Sequence, residues 1–155
     1  MDHLIMSYAT TYTSRLPDPE FKPEFYADTI SKRLIAWIID TILILILCLV
    51  IIPFTAFTAL FFLPFLYFVV GFIYRVATIS NFSATPGMLM MSIEFRTHNA
   101  EKFDTSHAFF HTLGFTLTSS TILPQLISIG LMFVTPRGQG LTDLVLGTVA
   151  INKAA

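Results

Sequence analysis

The chain reads as an all-α membrane protein: a two-helix transmembrane hairpin, then a third, proline-broken transmembrane or re-entrant segment, with a small cytoplasmic β-ribbon. Three observations predict this. Of 155 residues, 54% are hydrophobic and only 12% charged, about half the charge of a soluble domain. Two long apolar runs follow each other with barely a break. Two short polar segments alternate at period two, the spacing of a strand.

Residues 1–30 form a polar N-terminal arm. Asp18, Glu20, Glu24 and Asp28 are interleaved with Phe21, Phe25 and Tyr26 among Pro17, Pro19 and Pro23. This pattern predicts a loose tail ending in a short helix on the membrane surface. Met1 to Thr10 lack a basic region followed by a long apolar core, so no cleavable signal peptide is expected.

Residues 31–155 form the membrane domain. The first span covers residues 31–52. Thr29 or Ser31 is a candidate cap, Lys32 and Arg33 mark the boundary, and Pro53 stops the helix. From Leu34 to Ile52 the run is long enough for a bilayer core at ~1.5 Å per residue, with Asp40 and Thr41 its only polar residues. The second span covers residues 54–75, with a kink expected at Pro64 and Arg75 at its end. Residues 76–105 read as a cytoplasmic loop with turn signals at Asn81, Ser83, Pro86 and Gly87. Within it Met91, Ile93 and Phe95 alternate with Ser92, Glu94 and Arg96.

Asp104 or Ser106 can cap the next helix. The third apolar stretch, residues 106–134, is broken at Pro124-Gln125, as one kinked span or two limbs of a re-entrant hairpin. The hairpin is favoured because it keeps Lys32, Arg33, Arg75, Arg96, Lys102, Arg137 and Lys153 on one side. Residues 135–155 are then a cytoplasmic tail. Its alternating Val149 and Ile151 can pair with Met91–Arg96, since a lone strand is unstable.

Several function classes are excluded at this level. A net charge of −1 offers no basic footprint for nucleic acid. The single cysteine, Cys48, has no partner for an internal disulfide, and no Cys/His spacing suits zinc. Asp104, His107 and His111 share a helical face, but one carboxylate and two histidines make a poor metal site. No nucleophile–base pair, phosphate loop or paired acid/base carboxylates occur. The reading is therefore not an enzyme, with no catalytic residues, no metal and no cofactor.

The informative residues are those that are costly in lipid. Burying the Asp40 carboxylate costs roughly 2.5–3.5 kcal/mol unless it is paired, neutral or wet. Arg33 and Trp37 lie on the same helix face at spacings of seven and three. Arg33 is two turns from Asp40, too far for direct contact, and Trp37 can cover its stem. Asp143 falls near the start of a short interfacial helix that Gly147 ends. An Arg33–Asp143 pair at the membrane boundary is the favoured clamp. The hydroxyls of Thr116, Thr118, Ser119, Ser120 and Thr121 are read as bonding back to their helix or across to a neighbour.

The segment Ser31-Lys32-Arg33-Leu34-Ile35-Ala36-Trp37-Ile38-Ile39-Asp40 resembles the opening of the RDD family of bacterial integral membrane proteins. Arg33, Asp40 and Asp143 fall on the family's defining Arg, Asp and Asp, with Thr85-Pro86-Gly87 on its Thr-Pro-Gly turn. Leu141-Thr142-Asp143-Leu144-Val145-Leu146-Gly147-Thr148-Val149 is similar to its closing pattern. The chain departs in having Met88 where a basic residue is usual and Thr142 where a His is usual. Both changes remove possible positive charge. The resemblance implies a bacterial membrane protein, and with the basic residues on one side the expected location is the cytoplasmic (inner) membrane, multi-pass, with the N-terminus cytoplasmic. It also implies possible transport of unidentified ligands, with some members linked to sodium/proton exchange.

Two functions follow from these readings. One is a non-catalytic accessory or assembly subunit of a membrane complex. The other is a small oligomeric cation- or proton-coupled transporter using Asp40. The expected partners are the lipid bilayer and other membrane-protein subunits, or further copies of the chain, with no nucleic acid.

Overall fold

The computed structural model describes residues 14–153. Residues 1–13, the first part of the arm, lie outside that range. Six α-helices and two strands follow: α1 (Thr29–Phe54), α2 (Leu63–Phe82), α3 (Pro86–Met90), β1 (Ile93–Arg96), α4 (Thr105–Ser119), α5 (Ile122–Val134), α6 (Leu141–Leu146) and β2 (Val149–Asn152). Short 3₁₀ turns at Pro23–Phe25 and Thr58–Phe62 precede α1 and α2.

The burial pattern is that of a protein solvated by lipid. On α1 the buried residues Ala36, Asp40, Ile44, Cys48 and Ile52 recur every fourth position, one stripe of a 3.6-residue helix. The remaining faces expose Leu34, Ile38, Ile42, Leu45, Leu49 and Val50. A carboxylate inside and leucines outside reverses the soluble pattern; in hydrocarbon the polar group is the one that must hide. Pro23–Phe54 and Thr58–Phe82 are long and apolar enough to cross a membrane. The chain is a membrane protein.

Helix ends differ from expectation wherever a proline guided the reading. Pro64 produces no kink, because it occupies the first turn of α2. Pro124 lies in the first turn of α5, and the break falls earlier, at Ser120–Thr121, where α4 and α5 are bent by 115°. A helix's first N–H groups have no carbonyl to bond, so a proline there removes nothing. Pro53 sits within the last turn of α1, which runs one residue further, to Phe54. Arg75 does not close its span. The helix continues two turns to Phe82 and stops at Ser83, which takes a left-handed φ of 56°. Neither Thr29 nor Ser31 caps α1; the cap position is Asp28, also left-handed, with no side-chain capping bond. Asp104 does cap α4, its Oδ1 accepting the His107 N–H at 2.8 Å.

β1 and β2 form an antiparallel ribbon that pairs Ile93 with Asn152 and Arg96 with Val149. Ile93, Phe95 and Ala150 join Ala36, Ile79, Met88 and Phe103 in the larger core cluster. The other face is buried as well, against the alternating pattern, because Leu16, Phe25 and Tyr26 pack on Val149 and Ile151. Asn152 ties this segment down, its amide donating to the carbonyls of Glu24 and Ala27 at 2.8 Å each. The described part of the arm is therefore docked rather than loose. Glu94 lies on that covered face and is ion-paired with Arg96.

Candidate functional site

Two buried carboxylates organise the polar interior. Asp40 is held where α1, α2 and α3 meet. Its Oδ1 accepts the Tyr74 hydroxyl at 2.7 Å and the Gly87 N–H at 2.9 Å. Its Oδ2 accepts the Thr85 hydroxyl at 2.5 Å. The Thr85-Pro86-Gly87 turn supplies most of this cradle. Thr85 is the N-cap of α3, and its Oγ1 also accepts the Met88 N–H at 3.3 Å. Pro86 has the fixed φ that suits a first helical residue. Gly87 is required by crowding: a Cβ there would lie 2.3 Å from the Ala36 carbonyl oxygen and 2.9 Å from the Asp40 carboxyl carbon. The first turn of α3 thus points one backbone N–H that has no carbonyl to bond, that of Gly87, at a carboxylate from another helix.

Asp143 is fully buried and bound differently. Arg33 Nη1 donates to its Oδ2 at 2.6 Å, and the same oxygen accepts the Gly140 N–H at 3.2 Å. Its Oδ1 meets His111 Nε2 at 2.9 Å and accepts the Thr148 hydroxyl at 3.1 Å. Burial alone would raise the carboxyl's pKa. The Arg33 charge and the His111 bond outweigh it and hold the group well below the usual carboxylate range. Gly147 ends α6 at a left-handed φ of 69°, which lets the Thr148 N–H turn back to the Asp143 carbonyl at 2.9 Å.

Arg33 and Asp143 therefore come together, whereas Asp40 stays apart from both in a cradle of its own. The Arg33 guanidinium lies over the Phe95 ring, 5.8 Å from its centroid, and Trp37 is about half exposed. His111 faces Asp143 rather than its helical neighbours, and Asp104 binds His107 at the start of α4. Of the two departures, Met88 is buried in the core. Thr142 sits where a Cβ on Gly114 would come within 2.6 Å of its methyl, so a close α4–α6 approach seats a small side chain there.

Sequence reasoning missed Tyr74, Thr148 and Gly140 as carboxylate partners, and it placed Arg75 at a boundary. The signal for the first and last was present: Tyr74-Arg75 is a polar pair within α2, directly after the apolar run Phe68–Ile73. The hydroxyl series on α4 does bond back to its own helix, with Thr116, Thr118 and Ser119 all reaching carbonyls three or four residues earlier.

A helical membrane protein built around an Arg–Asp clamp and a cradled intramembrane Asp is the class this geometry defines. The RDD family pattern matches residues 27–147, which include every residue of both clusters except Thr148. The chain belongs to the RDD family. No curated protein and no solved structure is similar to it.

Proposed function

We propose that this chain works without catalysis, as an accessory or assembly subunit of a membrane complex, with Arg33, Asp40 and Asp143 holding its fold. One observation carries the reading. Asp40, the carboxylate a coupled transporter would titrate, accepts three hydrogen bonds from two other segments, α2 and the Thr85-Pro86-Gly87 turn. A carboxylate so bound serves as a joint between segments, and releasing it would part α1 from α3. The test is purification in mild detergent. A stoichiometric membrane partner, recovered again when that partner carries the tag, is expected. Folded protein found only as a monomer or homo-oligomer would overturn the reading.

The same reading places the chain in a bacterial inner membrane, N-terminus cytoplasmic, with α4 and α5 as a re-entrant pair. The ribbon supports this topology. β1 precedes α4 and β2 follows α5, and paired strands cannot lie on opposite faces of a bilayer. A reporter fused after Ala155 should then behave as cytoplasmic; a periplasmic result would refute the arrangement.

A second reading, an oligomeric cation- or proton-coupled transporter, has one observation in its favour. A cleft of about 700 Å³ separates α1 from the α4–α5 pair and touches Arg33 and Asp143. Liposomes carrying the protein should then pass sodium or protons, with the flux abolished by Asp40→Asn. Absence of flux from folded protein would rule it out.

A further inference from the structure

Next to the Asp40 cradle is a smaller cavity of about 70 Å³, lined in part by Arg33, Trp37, Asp40, Arg75, Thr112 and Phe115. Its polar groups are unbalanced. Arg75 forms no ion pair with any described carboxylate. Its guanidinium stacks 4.7 Å from the Phe115 ring centroid. Arg33 commits only Nη1, to Asp143 and the Gly138 carbonyl, which leaves its Nε and Nη2 without a described acceptor. Thr112 is fully buried, and its hydroxyl has no hydrogen-bond partner.

The nearby acceptors meet this need only in part: the Asp40 carboxylate and the Tyr67 hydroxyl are the groups that face Arg75. Three of the roughly four lone-pair positions of Asp40 are already taken by Tyr74, Thr85 and Gly87. Buried donors are normally satisfied, and a guanidinium presents five of them in a planar fork that matches an oxyanion. Donors left without a full set of acceptors beside a half-open cavity call for an acceptor-rich guest.

The surroundings indicate where such a guest would come from. The cavity shares Arg33, Trp37, His111 and Phe115 with the large cleft. That cleft is walled further out by Leu34, Ile129, Met132 and Phe133. Both spaces are walled mainly by apolar groups, and two guanidinium groups stand at the inner end, a combination that fits a molecule with an anionic head and a hydrocarbon tail.

We propose that this cavity binds the oxyanion group, carboxylate or phosphate, of an acidic amphiphile, with Arg75 and the free edge of Arg33 as its cationic donors and Thr112 as a third. The site is independent of the accessory reading, since a scaffold subunit can hold a lipid and a pull-down does not report on this cavity.

Trp37 is the only tryptophan in the chain and lines both spaces, so its fluorescence reports occupancy. The purified full chain would be placed in phosphatidylcholine nanodiscs and compared with nanodiscs containing phosphatidylglycerol. Inorganic phosphate and acetate would be titrated separately. A saturable change with phosphatidylglycerol, weakened about tenfold or more in Arg75→Gln and intermediate in Arg75→Lys, supports the site with a lipid source. The same change with phosphate or acetate alone supports the site with a free anion as its source. Thr112→Val, which removes a hydroxyl at nearly constant volume, should weaken binding roughly threefold. If Arg75→Gln does not fold, that variant decides. Lys102→Gln, at an exposed basic residue elsewhere, should leave binding unchanged. No response to any probe from folded protein, or unaltered binding in both Arg75→Gln and Thr112→Val, would overturn the proposal.

Discussion

Asp143 and Asp40 are both buried carboxylates of one small protein, yet they are stabilised by different means. Asp143 lies outside the spans and faces a full opposite charge, Arg33, at 2.6 Å. Asp40 lies within α1 and, among the described residues, accepts hydrogen bonds from neutral donors alone, two hydroxyls and one backbone N–H, with the Arg75 charge lining the same cavity but not ion-paired to it. Removing one member of a buried ion pair leaves the other charge exposed to a low dielectric. Neutral donors leave no such charge behind. Near the boundary an ion pair can form between a fully buried carboxylate and an arginine that keeps part of its side chain exposed. Deeper in, the cradle relies on the exact approach of a helix end, and so on the shape of the backbone.

The sharpest way to break this contrast is at Asp143. Asp143→Asn keeps the shape but leaves the Arg33 charge uncompensated, and should cost roughly 3–5 kcal/mol, read as loss of thermal or denaturant stability in detergent. If the loss is no larger than for Asp40→Asn, the two sites do not differ as argued. The pH dependence sharpens the point. The folded-state pKa of Asp143 is depressed, so its stabilisation is complete above the ordinary carboxylate value, about 4. It is lost as pH falls below that value toward the folded-state pKa. The stability gap between the wild type and Asp143→Asn should therefore stay constant near neutrality and narrow only below about pH 4.

Smaller effects test the cradle. Gly87→Ala forces a Cβ against the Ala36 carbonyl and should cost about 1–3 kcal/mol, with Met88 and Thr85 displaced together. Stability unchanged in this variant would mean that α3 can move away without loss. Asp40→Asn retains an acceptor but not the charge that orients three donors, and should cost about 1–2 kcal/mol. The smallest effect belongs to Pro64→Ala, within about 0.5 kcal/mol of the wild type. A substantial change there would show that the proline shapes α2 rather than merely starting it.

Much of the architecture was legible because lipid makes simple demands. The length of the apolar runs predicted two spans, and the alternation around Phe95 and Ile151 predicted a ribbon. The Arg33–Asp143 pairing was legible from cost, since each residue needs a partner and few charges are available. The proline signals misled because a proline in the first turn of a helix and one in its middle look alike in a sequence. They differ only in whether a carbonyl four residues earlier is waiting for an N–H. His111 was read with its neighbours on α4, whereas its partner arrives from α6, 32 residues later.

By itself the sequence determined that this chain lives in a membrane, that it holds two apolar runs long enough to cross one, and that Arg33, Asp40 and Asp143 must each find a partner. Composition, run length and the cost of a charge in hydrocarbon are local quantities, and they can be read along one dimension. Only the tertiary structure decided which partner each one found. It set Asp40 against the first turn of α3 and Asp143 against Arg33 and His111, and it left the Arg75 guanidinium beside a small cavity. Those outcomes depend on how closely separate helices approach, at Gly87 and Gly114 above all, and a distance between helices is a property of their packing.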